Sequence, residues 1–159
     1  MSPDRVAIGA GLVALTLILG ALGFQYLGDF PPCEMCHWQR WPHILAAAAG
    51  IIGGVAISQG RLDKEVGLPL AILALLLVLT SGVIGAYQAG VEWQLLPGPA
   101  ACTGGPVVLT GTLDLNHAVV RCDIAAWRLF GISLAGYNAL ISSATVALGS
   151  WALLRGRGK

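Results

Sequence analysis

The sequence predicts an all-α membrane protein: a four-helix transmembrane bundle with one short and one long external loop and both termini on the cytoplasmic side. Three observations carry this. Of 159 residues, 56% are hydrophobic and only 11% are charged, whereas a soluble domain carries about 25% charged residues. The apolar residues fall in four runs at 6–24, 41–57, 68–87 and 129–154, and none of these contains Asp, Glu, Lys or Arg. Lys and Arg, finally, gather on one side of those runs.

The first run, Val6 to Phe24, approaches the roughly 20 residues that cross a bilayer as a helix. Arg5 ahead of it and Ala21-Leu22-Gly23 near its end imitate a secretory signal and its small-residue cleavage site. The stretch is longer than a signal core, so a retained span is expected. Trp41 to Ile57, Leu68 to Tyr87 and Leu129 to Leu154 supply the other three spans. Inside lipid each backbone amide must bond within its own segment, and that makes all four helices.

Orientation follows from the cations. Arg5, Arg61, Lys64, Arg155, Arg157 and Lys159 flank the spans on one side, with Arg40, Arg121 and Arg128 on the other. The richer side is cytoplasmic by the positive-inside rule. The chain then forms one four-span domain, 1–159, with external loops at 25–40 and 88–128. A bacterial inner membrane is the expected location, and the external side is then the periplasm. The formal net charge of +1 gives no reason to expect nucleic acid.

All four cysteines fall on the external side, where disulfides persist. Cys33-Glu34-Met35-Cys36 opens the second span, and a Cys-x-x-Cys pair can cycle between dithiol and disulfide. Cys36 at the first helical turn would have its thiolate favoured by the unpaired N–H groups and the helix dipole. Arg40, four residues on, shares its helical face. It either answers an anion there or extends its head to lipid phosphates.

Cys102 and Cys122 lie in the long loop among Pro97-Gly98-Pro99 and Gly104-Gly105-Pro106. A disulfide between them would be either a staple, worth about 3 kcal/mol on the chain-entropy model, or an exchanging bond. Glycines and prolines around it predict an exposed, accessible bond, and exposed bonds are the labile ones. Trp93, Leu95 and Leu96 in the same loop suit the headgroup level.

One competing motif is literal. Cys33-Glu34-Met35-Cys36-His37 matches the pattern of covalent c-type haem attachment, with His37 as axial ligand. The alternative function is therefore a membrane haem electron carrier. Against it, Cys102 and Cys122 would have no task, and the motif enters a span within a few residues. A metal site is not expected, because the loop cysteines form no second close pair. A stapled, non-catalytic scaffold is a further rival.

Several motifs in order resemble the disulfide bond formation protein B (DsbB) family. They are Phe24-Gln25, Pro32-Cys33-Glu34-Met35-Cys36 followed by Arg40, Gly90-Val91-Glu92, Pro97-Gly98-Pro99, Cys102-Thr103-Gly104, Cys122-Asp123, Trp127-Arg128 and 129–138. The resemblance implies a quinone-dependent thiol:disulfide oxidoreductase. It would reoxidise a periplasmic thioredoxin-fold (DsbA-like) dithiol oxidase and pass electrons to ubiquinone or menaquinone in the bilayer. Cys33 and Cys36 would be the quinone-coupled pair, and Cys102 and Cys122 the pair that meets the partner. Arg40 would help bind quinone and hold the Cys36 thiolate, and Gln25 stands where the family has a glutamine near the quinone. Relatives often carry histidine where this chain has Gln88, and His37 lies outside the family pattern. The naphthoquinone-epoxide reductase family is less similar, because its loop cysteines precede its Cys-x-x-Cys pair.

Overall fold

Four long helices, each apolar enough to cross a membrane, account for most of the chain. They are α1 (Pro3–Tyr26), α2 (Glu34–Ser58), α3 (Lys64–Glu92) and, after the long loop, α5 (Leu134–Gly156). A single turn, α4 (Ala100–Thr103), and a two-stranded hairpin, β1 (Arg128–Leu129) with β2 (Ile132–Ser133), lie between α3 and α5. The computed structural model describes residues 1–103 and 120–156. Gly104-Gly105-Pro106, Arg157 and Lys159 lie outside them. The protein is a multi-pass membrane protein.

The helices pack through small residues, as expected where lipid removes the hydrophobic drive between helices. Ala7, Ala14, Ala46, Ala71 and Ala74 are all fully buried at the contacts. Helix α1 lies tightly on α2, where a Cβ on Gly11 would sit 2.9 Å from the backbone N of Ile51. A Cβ on Gly50 would run into the Ala7 carbonyl. Around this contact α2 passes through a π-helical stretch, Ala48–Gly53. Pro42 also lies inside α2, so its interior is doubly irregular. The chain termini share one end of the bundle, since a Cβ on Gly156 would come within 2.8 Å of the Met1 carbonyl.

At the opposite end the helix limits decide what the site is made of. Helix α2 starts at Glu34, ahead of the expected Trp41, so Cys36 and Arg40 belong to the helix and not to a loop 25–40. Helix α3 runs on through Gln88 to Glu92, which puts both side chains on a rigid element. Residues 129–133, expected in the fourth span, instead form the hairpin. Its turn residues Phe130 and Gly131 both have positive φ, 50° and 80°. That backbone matches the twist of two paired strands, and glycine is the residue that suits it.

Candidate functional site

Cys33 is the N-cap of α2, in extended backbone, and its sulfur accepts the N–H of Cys36 at 3.3 Å. That geometry sets the two Sγ atoms 2.8 Å apart, as thiols. Both lie at the helix end where N–H groups are unpaired and the dipole favours negative charge. Cys33 is nearly enclosed, at 4% exposure. Its hydrogen bond with Cys36, and then burial, push the Cys33 thiol well above the ordinary range. Cys33 therefore holds its proton while the pair carries any single negative charge on the partner sulfur.

Cys102 and Cys122 are joined by a disulfide. The Sγ atoms of Cys33, Cys102 and Cys122 all lie within 4.8 Å of one another. Two stretches of chain far apart in sequence thus place three sulfurs in one cluster, packed with Met35 and Val120. The expectation of an exposed loop bond is corrected here, because Cys102 is 1% and Cys122 0% exposed. The described loop residues Cys102, Val120 and Cys122 pack against Cys33, Met35 and Cys36 at the start of α2, and burial follows. Turn α4 supports this, with Cys102 N–H bonding the Pro99 carbonyl at 2.9 Å and Cys122 N–H bonding the Cys102 carbonyl at 2.9 Å. Outside the cluster, the exposed Arg121 binds Asp123 at 2.9 and 2.5 Å. The Arg121 guanidinium holds the Asp123 carboxyl below the usual carboxylate range.

The sulfur pair borders a cavity of about 400 Å³ between α1, α2, α3, α5 and the returning loop. Its wall is mainly apolar and includes Phe24, Phe30, Trp127 and Tyr137. Phe24 and Trp127 pack with centroids 4.9 Å apart, and Trp127 lies 6.4 Å from Tyr137. Arg40 lies in the wall beside Cys36. Its Nη1 donates to Gln25 Oε1 at 2.7 Å, while Nε is buried without a partner among the described residues. Arg40 is thus held by Gln25; no hydrogen bond from it to Cys36 occurs among the described residues. Gln25 itself is not part of the cavity wall.

A buried polar chain, absent from the expectations, connects the sulfurs to the membrane interior. Gln88 Nε2 lies 3.5 Å from Cys33 Sγ, 3.6 Å from Cys36 Sγ and 3.0 Å from Glu92 Oε1. Gln88 Oε1 accepts from Gln39 Nε2 at 2.6 Å, and Gln39 Oε1 accepts from Asn138 Nδ2 at 2.7 Å. Asn138 Oδ1 meets His43 Nε2 at 2.8 Å. A Cβ on Gly85 would stand 3.0 Å from Asn138 Nδ2, so glycine leaves the space that the amides cross. His43, Ser81 and Asn138 sit inside apolar runs, and a polar group at such depth is costly unless it has a task. That signal was available in the sequence; which helix faces would meet was not.

Haem attachment gains no support from this geometry. His37 is exposed, and the Cys33 sulfur packs with the other cysteines. The disulfide sulfurs also carry no thiolate to offer a metal.

Among known protein families, the one described as "Disulfide bond formation protein DsbB" matches residues 3–152. A "Disulfide bond formation protein B" from Polaromonas sp. is 29% identical over 157 residues, covering 92% of this chain and 88% of its own. The protein of the same description from Burkholderia thailandensis is 28% identical over 164 residues, covering 98% and 92%. That from Alkalilimnicola ehrlichii is 30% identical over 164 residues, covering 92% and 91%. No solved structure matches the chain.

Proposed function

The chain belongs to the DsbB family of disulfide bond formation proteins, a membrane protein-disulfide oxidoreductase, and we propose that it couples oxidation of a periplasmic thioredoxin-fold dithiol protein to reduction of a membrane quinone. The observation that carries this is the sulfur cluster, with Cys33 Sγ within 4.8 Å of both loop sulfurs and 2.8 Å from Cys36 Sγ. Thiol–disulfide exchange needs an attacking thiolate close to a disulfide sulfur, and four such atoms are gathered here.

The exchange balances as follows. A partner thiolate attacks the Cys102–Cys122 bond, which breaks as a mixed disulfide with the partner forms. The partner's second thiolate then displaces that bond, leaving the partner oxidised and the loop cysteines as a dithiol. The loop dithiol reduces the Cys33–Cys36 disulfide in the same two-step manner, and the loop bond closes again. The two electrons and two protons then rest on Cys33 and Cys36, the arrangement described above. Because Cys102 and Cys122 are buried, the loop must lift from the start of α2 for a partner to reach them.

A quinone suits the residues present. The cavity's size lies within the roughly 300–1,000 Å³ of small-molecule sites, its wall is apolar and aromatic, and it borders Cys36. Among the described residues, Arg40 Nε is a buried donor lacking an acceptor, and His43 Nδ1 is a second unpartnered polar atom. Such orphans cost about 1–3 kcal/mol each, and a ring oxygen would relieve the Arg40 donor. When bound, a quinone supplies an acceptor for two electrons and two protons. Arg40 would hold a ring oxygen beside Cys36, with Gln25 fixing the guanidinium. Ubiquinone and menaquinone fit this chemistry equally. The cation distribution supports a bacterial inner membrane location with the sulfur cluster on the periplasmic side.

Anaerobic mixing of the purified protein with a reduced thioredoxin-fold dithiol protein and ubiquinone, followed by quinone absorbance, tests the proposal. The wild type is expected to consume quinone and Cys36→Ser to consume none. Full consumption by the variant would overturn it.

A further inference from the structure

The buried amides form a chain with a fixed direction. Glu92 Oε1 accepts from Gln88 Nε2, which leaves Gln88 Oε1 as acceptor for Gln39 Nε2. Gln39 cannot be turned over, because the same Nε2 also donates to the Met35 carbonyl at 3.3 Å. Its Oε1 must then accept from Asn138 Nδ2, which is pinned in turn by the Ser81 carbonyl at 3.2 Å. Asn138 Oδ1 is left as a pure acceptor, and Ser142 Oγ already donates to it at 3.0 Å. The nitrogen of His43 that meets this oxygen has to be the donor.

That settles the tautomer. With Nε2 carrying the hydrogen, the neutral imidazole keeps its lone pair on Nδ1. His43 is 4% exposed and lines the cavity. Its Nδ1 has no partner among the described residues. Buried polar groups in native proteins are almost always satisfied, so what enters the cavity has to bring a hydrogen to Nδ1. Arg40, three residues earlier and hence on the same helical face, offers the opposite polarity, a donor at Nε without a partner among the described residues.

We infer that His43 Nδ1 accepts a ring hydroxyl, so that the cavity prefers the hydroxyl form of its aromatic ligand over a form without O–H. Gln39 and Asn138 are positioning residues that fix the tautomer. The inference rests on the quinone reading of the cavity and deepens it: the reduced ring is held by an Arg40 donor and a His43 acceptor. His43 thereby favours the product over the oxidised ring.

Two measurements test this in bilayer nanodiscs under anaerobic conditions. In ¹⁵N-histidine spectra, His43 (assigned by its loss in His43→Phe) is expected as the Nε2–H tautomer. Adding a short-chain alkyl hydroquinone should shift its Nδ1 resonance towards the hydrogen-bonded position, and the dimethyl ether of that hydroquinone should not. In equilibrium binding, wild type should favour the hydroquinone over the ether by about ten-fold, the scale of one well-made hydrogen bond, and His43→Phe should lose that preference. An Nδ1–H tautomer, or equal binding of the two probes to wild type, would overturn the inference. The spectra need no variant to be active. Normal quinone consumption with an unmoved Nδ1 sinks this inference alone; a failed consumption assay with a hydroquinone-shifted Nδ1 sinks only the electron-transfer proposal.

Discussion

Arg40 donates through Nη1 to Gln25 Oε1 at 2.7 Å, tying the second helix to the end of the first beside the cavity. Gln25 therefore acts through Arg40. Gln25→Ala frees the guanidinium to turn toward lipid phosphates. A hydrogen bond to a charged group is worth about 1.5–3 kcal/mol, so the KM for quinone is expected to rise about ten-fold or more with kcat little changed. Steady-state kinetics with quinone varied would show it; a fall in kcat at constant KM would contradict the assignment.

The buried loop disulfide is held down by tight packing around Gly98. A Cβ there would meet Val91 Cγ1 at 2.8 Å and collide with Thr103. Overpacking costs about 1–3 kcal/mol, so Gly98→Val should lift turn α4 and expose Cys102–Cys122. Reduction by a membrane-impermeant phosphine, read by thiol labelling, is expected to quicken about ten-fold, since 1.4 kcal/mol is one decade in the open population. Unchanged kinetics would mean that the loop opens elsewhere.

Gln88 is the only described side chain that touches both inner sulfurs and the amide chain. Gln88→Leu leaves Gln39 Nε2 with one acceptor fewer and removes the Gln88 donor from Glu92 Oε1. Leaving buried polar groups unpaired costs about 1–3 kcal/mol each, and thermal unfolding in detergent should fall by several degrees. Gln88→His, which keeps a donor in reach of the sulfurs, is expected to lose less.

Cys33 gives the reduced protein an alkaline limit. Its thiol is held above the ordinary value of 9.0 by Cys36 and by burial. Above pH 9.0 the unfolded chain releases this proton while the folded chain keeps it, so the unfolded state gains. Stability is thus fully present below that pH and declines above it. Denaturant melts of the dithiol form should show the decline, and Cys33→Ser should remove it; a flat profile in wild type would refute the shift.

The sequence by itself determined four membrane helices, because long charge-free apolar runs admit no other form in lipid. It also marked Cys33, Cys36, Cys102, Cys122 and Arg40, since sulfur and charged groups are rare against an apolar background, whereas Gln25 was marked only by the family resemblance. Only the tertiary structure decided that the loop sulfurs are buried against Cys33. It alone joined Gln39 to Gln88, His43 to Asn138 and Gln39 to Asn138, pairs separated by 49, 95 and 99 positions. Local periodicity fixes which residues share a helix face. Which face meets which is set by close approaches such as Gly11 on Ile51 and by the room left at Gly85, and those depend on all four helices at once.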